Sequence, residues 1–223
     1  VKYGDGGPTN DESPDDGADD RTFRGSPWPA GADGTGRTLE LVSPALENKF
    51  GLAWRASAAA GGTPGAANSV LDATPGPVID SVRHQPAIPG QADAVLVTCR
   101  ISSPAGLSAA TLEWALDGGT FRGVSLRDDG AAPDAAAGDG LYSAAIPAQS
   151  EGAVVLFRLS ARDPAGSTIL VPPAPAVLPY AGFQGPFYLY EVDGSAPPAN
   201  GNPLYRIVMT QRDLQELDDR SAQ

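Results

Sequence analysis

Apolar side chains recur at every second position along much of the chain, in runs short enough to be strands. Val95, Val97, Cys99 and Ile101 alternate with Leu96, Thr98 and Arg100, the period-2 signature of a strand with one face in a core. A first strand is predicted over 78–83, this one over 94–101, and another over 111–116. In the last, Leu112, Trp114 and Leu116 face one way and Thr111 and Glu113 the other. Val124 with Leu126 repeats the pattern, as do Tyr142, Ala144 and Ile146. Val155, Phe157, Leu159 and Ala161 then point inward while Arg158, Ser160 and Arg162 point out. Asp163-Pro164-Ala165-Gly166 supplies a hairpin turn into 167–171. About seven short strands between turn signals, with no helix among them, predict an antiparallel sandwich of ~100 residues. Cys99 and Trp114 are expected inside it, and His84, beside Pro86 at a strand end, is expected as a surface or turn histidine.

The flanks are less regular. Upstream, 38–42 alternates well enough for a strand with Leu39 and Leu41 on one face, and 48–55 leads to Trp54. Gly61-Gly62-Thr63-Pro64-Gly65 reads as an irregular connection. It is no phosphate cradle, because no Gly-Lys-[Ser/Thr] follows. Residues 4–20 crowd Asp11, Glu12, Asp15, Asp16, Asp19 and Asp20 between prolines and lack the alternate-position acids of an EF-hand, so a solvated loop is expected. Downstream, 202–209 is strand-like. Thr210-Gln211-Arg212-Asp213 fits a capping box ahead of a short helix through Leu214 and Leu217 to about residue 219.

Composition narrows the function classes. The 223 residues include 27 Gly and 22 Pro, a density of helix breakers that favours a β-rich, loop-rich chain. Fifteen Lys and Arg against 27 Asp and Glu give a net charge of −12, which disfavours nucleic acid and anionic membranes as partners. Cys99 and His84 are each the sole residue of their type, so an internal disulfide, a cysteine-based zinc site and a His–His metal site are excluded by count. No apolar run approaches the ~18 residues of a membrane span. The opening Val1-Lys2-Tyr3-Gly4-Asp5-Gly6 is no signal peptide and reads like the middle of a longer polypeptide.

Three constellations are candidates for chemistry. Asp128, Asp129, Asp134 and Asp139 fall on one inter-strand connection among glycines, a set whose oxygens could converge on Ca²⁺. The competing reading is that they build Asx-turns, each carboxylate accepting backbone N–H groups two residues on. A glycosidase carboxylate pair would want a cleft and an aromatic platform, which this neighbourhood lacks. Phe187, Tyr188 and Tyr190, with Phe183 and Tyr180, admit two readings, stacking on sugar rings or a closing strand packed on the sandwich; packing is expected. No Gly-x-Ser-x-Gly elbow accompanies His84.

The segment of about 70 residues carrying Val1-Lys2-Tyr3-Gly4-Asp5, Trp28-Pro29, Asp33-Gly34-Thr35-Gly36-Arg37-Thr38-Leu39-Glu40-Leu41, Trp54-Arg55-Ala56-Ser57 and Gly61-Gly62-Thr63-Pro64-Gly65-Ala66-Ala67-Asn68 resembles the closing part of a lamin-tail-like β-sandwich. Residues 8–26 look like an insertion in it. Trp114 and Phe157-Arg158-Leu159-Ser160-Ala161-Arg162-Asp163-Pro164-Ala165-Gly166 resemble immunoglobulin-like or fibronectin type III-like modules of bacterial surface proteins. Pro203-Leu204-Tyr205-Arg206-Ile207-Val208-Met209-Thr210 and Asp213-Leu214 resemble the opening of the CotH-type spore-coat kinase-like domain. The resemblances imply an all-β chain divided into 1–70 (partial lamin-tail-like domain), 71–77 (linker), 78–192 (immunoglobulin-like sandwich), 193–202 (linker) and 203–223 (start of the kinase-like domain). They also imply a non-catalytic spacer and interaction module of a secreted or cell-envelope bacterial protein, partnered by a downstream kinase-like domain and by an envelope protein or polysaccharide. None of that domain's ATP- or metal-binding positions falls within the chain, so no cofactor is expected. The rivals are a calcium-stabilised adhesion or carbohydrate-binding module, and a segment that completes the neighbouring active site.

Overall fold

The computed structural model describes residues 28–48, 51–173, 185–195 and 206–221. The acidic stretch 4–20, Tyr180, Phe183 and positions 202–205 lie outside them. The described chain is an all-β sandwich of antiparallel sheets followed by one short helix. Its strands are β1 (Leu39–Leu41), β2 (Trp54–Ala56), β3 (Val78–Gln85), β4 (Val95–Ser102), β5 (Ala109–Leu116), β6 (Arg122–Ser125), β7 (Leu141–Ile146), β8 (Val154–Arg162), β9 (Thr168–Val171) and β10 (Tyr188–Glu191), and the helix α1 spans Gln211–Ser221. β1 and β2 form a two-stranded sheet, β3-β4-β7 a three-stranded one, and β10-β8-β5-β6 a larger one in which β9 also pairs with β8. No helix among the described residues is long and apolar enough to cross a membrane. The chain forms two compact units, 1–83 with 99–109 and 161–169, and 84–98 with 110–160 and 170–223.

In the first unit β1 and β2 pair with Leu41 opposite Trp54 and Glu40 opposite Arg55. Leu41, Leu52 and Trp54 pack on a small core of Leu46, Ala53 and Val78, and Trp28 lies 6.0 Å from Trp54. Leu39 and Leu41 fall on one face of β1 as expected, yet it is the opposite face that is more enclosed. Glu40 is the most enclosed residue of the strand, at 4% exposure, and Leu39 is exposed. The reason is that the loop after β2 covers the second face of the strand and supplies donors to the Glu40 carboxylate, which makes burying a charge tolerable. In β3 the alternation also breaks, because Ser81 takes a φ of 51°, and Ile79 and Val82 are both buried. The turn at 163–166 forms as expected. Asp163 accepts the Ser167 N–H at 2.8 Å and its carbonyl accepts that of Gly166 at 3.1 Å.

In the second unit Leu112, Trp114, Leu126, Ala144, Ile146, Val155, Phe157 and Leu159 are buried, matching the stripes read from the sequence. Leu116 departs from its stripe, at 41% exposure, and Ala115 is buried instead. Leu116 is the last residue of β5, and its carbonyl accepts the Gly119 N–H at 2.8 Å. It belongs to the turn that leaves the sheet. The strand expected over 202–209 is not formed where it is described, since 206–210 carries no regular structure. The helix begins where the capping box places it. Thr210 Oγ1 accepts the Asp213 N–H at 3.0 Å and donates to the Asp213 carboxylate at 2.7 Å, which satisfies an otherwise unpaired donor of the first turn.

Candidate functional site

The four carboxylates singled out in the sequence all lie on the acidic connection between β6 and β7. Leu126 anchors its start in the core, and Arg127 and Ser143 exchange backbone hydrogen bonds of 3.0 and 2.8 Å that close the loop at its base. The carboxylates then hold the loop from within. Asp128 accepts from the N–H groups of Gly138 (2.7 Å), Asp139 (3.2 Å) and Gly140 (3.0 Å). Asp129 accepts from Ala131 at 3.0 Å and lies 3.6 Å from the Arg127 guanidinium. Asp134, itself buried, accepts from Gly130 at 2.7 Å and Ala135 at 2.9 Å, and Asp139 accepts from Leu141 at 2.8 Å. Gly130 has a φ of 72° and a Cβ there would come within 3.2 Å of the Ala137 nitrogen, so the glycine is sterically required.

This geometry has a chemical consequence. A calcium ion needs several carboxylate oxygens turned toward one point, whereas most of these oxygens accept from backbone amides distributed along the loop and one Asp129 oxygen lies against Arg127. Among the described residues no group of three or more His, Cys, Asp or Glu side chains is placed to hold a metal ion. Asp129 and Asp139 each accept the N–H two residues on, as in an Asx-turn, whereas Asp128 and Asp134 tie more distant or adjacent amides of the loop.

The aromatic strand is likewise engaged. β10 pairs with β8, Tyr188 opposite Phe157 and Tyr190 opposite Val155. Tyr188 stacks on Phe157 with centroids 5.1 Å apart, and Tyr190 is 2% exposed. His84 is not a free surface histidine. Its ring stacks on Tyr190 at 5.2 Å and meets the edge of Phe157 at 6.0 Å, while Nδ1 lies 3.2 Å from the Pro86 carbonyl. Burial pushes its pKa down, because a charged imidazolium would be poorly hydrated there. Burial also raises the phenol of Tyr190. The signal for His84 was present in the sequence, since it follows the buried Val82 by two positions. Phe187 lies 5.1 Å from Phe121, whose other neighbour is the Arg158 guanidinium at 4.8 Å, and Arg158 pairs with Glu113 at 2.7 Å. These rings pack on one another or beneath a cation instead of offering an open platform.

Glu40, not recognised from the sequence, accepts from Thr63 Oγ1 (2.7 Å), Ser69 N (2.7 Å) and Ser69 Oγ (2.6 Å). The Ser69 hydroxyl first, and then that of Thr63, hold its carboxyl below the usual range, which disfavours it as a general base at neutral pH. A charged residue between two leucines, followed by a hydroxyl-rich loop, was the available hint. Cys99 is fully buried. Enclosure, and secondarily the Asp80 charge, push its thiol upward, so it is an unreactive core residue. The chain matches no protein-family model and no curated protein.

Proposed function

We propose that this chain is a non-catalytic spacer and interaction module of a secreted or envelope-attached bacterial protein of the CotH-type kinase-like family, placed ahead of the kinase-like domain. The observation that carries the reading is α1. It is capped at its N-terminus, yet it holds Leu214 and Leu217 in solvent at 44% and 55% exposure, with Ile207 before it at 81%. Apolar residues three apart on one helix gain by being covered, and a domain that follows in the same polypeptide is the partner the C-terminal resemblance supplies. The acids and aromatics singled out as candidates for chemistry serve turns and packing, which suits a module that positions a neighbour.

The test is to compare phosphotransfer by a protein containing the kinase-like domain with and without residues 1–202. Equal kcat is expected. A fall in kcat on removing them overturns the reading in favour of a segment that completes the active site.

A further inference from the structure

We infer that two carboxylates on the sandwich form a latch that fixes the orientation of α1, so that the helix is presented at a set angle and not on a free tether. The first is Asp117, in the turn after β5. Its own N–H is bonded to the Val154 carbonyl at 2.9 Å, and its carboxylate accepts the Gln211 N–H, the first of the helix, at 2.6 Å. The second is Asp193, just after β10. Its N–H is bonded to the Pro89 carbonyl at 2.8 Å, one carboxylate oxygen accepts from Ser195 N at 2.8 Å, and the other pairs with the Arg206 guanidinium. Glu151 braces the same corner by accepting the Gly194 N–H at 3.0 Å.

The two anchors grip positions 206 and 211 of one short segment. A single contact would leave that segment a swivel; two contacts five residues apart remove it. Asp117 also places a negative charge at the positive end of the helix dipole. Asp193 and Arg206 are each only 22% exposed in their side chains, which limits screening of the pair by salt. The latch deepens the spacer reading, since a fixed helix would set the angle of whatever follows it, but it can be tested on this chain alone.

Backbone ¹⁵N relaxation on the full chain provides the test. In the unaltered protein the amides of 211–217 are expected to show order parameters near ~0.85, like those of β8. In the Asp117→Ala/Arg206→Ala double variant they should fall below ~0.6, with Cα shifts still helical because the Thr210–Asp213 box remains. The milder Asp117→Asn should lower them less. A helix already mobile in the unaltered chain overturns the latch without relying on any variant. So does a double variant whose helix stays rigid, or one that loses its helical shifts, which would make the carboxylates supports of helix formation and not of orientation. None of these outcomes bears on the phosphotransfer comparison, so the two ideas fail separately.

Discussion

Replacing Asp128 by asparagine tests whether the acidic loop is held by its own amides. Asp128 Oδ1 accepts from Gly138 and Asp139, and Oδ2 from Gly140. Asparagine keeps the shape but turns one oxygen into a donor. In one orientation the Gly140 N–H faces an NH₂ group; in the other, the Gly138 and Asp139 N–H groups do. At least one bond is lost and the others lose their charge assistance. A hydrogen bond to a charged group is worth about 1.5–3 kcal/mol, and the half-buried setting argues for the lower end, so a loss of about 2 kcal/mol is expected. For a chain of this size that corresponds to a fall in Tm of roughly 4–8 °C. Urea unfolding followed by tryptophan fluorescence, with Trp114 buried as one reporter, measures it directly. Millimolar Ca²⁺ should leave the midpoint of the unaltered protein unchanged, whereas a site filled a hundredfold above its Kd would add ~2.7 kcal/mol. A cost below ~0.5 kcal/mol for Asp128→Asn, in the range of ordinary surface changes, or a rise in Tm with calcium, refutes the reasoning.

Other outcomes follow from single contacts. The Tyr190 hydroxyl is buried with no hydrogen-bond partner, so Tyr190→Phe should be neutral or stabilising by up to ~1 kcal/mol, while Tyr190→Ala should cost about 3 kcal/mol; a destabilising Tyr190→Phe in thermal melts would show that the hydroxyl is paired. His84 has a pKa lowered by burial from its ordinary 6.5, so below that value the unfolded chain binds the proton more readily than the folded one. Stability should therefore be complete above pH ~6.5 and decline as pH falls from there toward the folded pKa. Urea midpoints measured from pH 7.5 to 5 should show this slope, flattened in His84→Phe; an unchanged slope in the variant contradicts the burial argument. Gly62 has a φ of 67°, and a Cβ there would sit 2.2 Å from Thr38 Oγ1. Gly62→Ala should cost about 1–3 kcal/mol, with Gly61→Ala as a comparison that carries the backbone strain without the clash; equal losses in the two would remove the steric part of the account.

How far the sequence reached depended on what each residue answers to. Where one face of a strand meets a core, hydrophobicity alone decides orientation, and Val95, Val97, Cys99 and Ile101, or Val155, Phe157, Leu159 and Ala161, lie buried as read. The capping box was legible for a similar reason, because Thr210 and Asp213 satisfy each other within one turn. Period-2 reading failed where a second surface intervened. Glu40 is buried because Thr63 and Ser69, more than twenty positions later, reach back to it, and no local pattern encodes that. Leu116 is exposed because the Asp117-Gly118-Gly119 turn claims its carbonyl. The four acids of the Asp loop were legible as residues of one connection, but the choice between amide acceptor and metal ligand depends on where the oxygens point. Asp117 and Asp193 carried no signal at all, since their partners become neighbours only after folding.

The acidic composition has a structural explanation in these contacts. A chain with 27 Gly and 22 Pro is rich in turns, and turns leave backbone N–H groups without ladder partners, a cost that some acceptor must offset. Glu40, Asp128, Asp134, Asp163 and Glu151 each accept such an N–H. Their charge keeps the bonds short and strong, and their short, stiff connections fix loops that contain few apolar anchors. The same economy argues against reading these acids as reagents. A general acid or base must be free to exchange a proton with substrate, and a metal ligand must turn a lone pair outward, whereas Asp128, which holds three amides, and Asp134, which holds two, would release their loop in doing either. Holding the connections in place is therefore what these residues supply, and it is the property on which the proposed spacer role would draw.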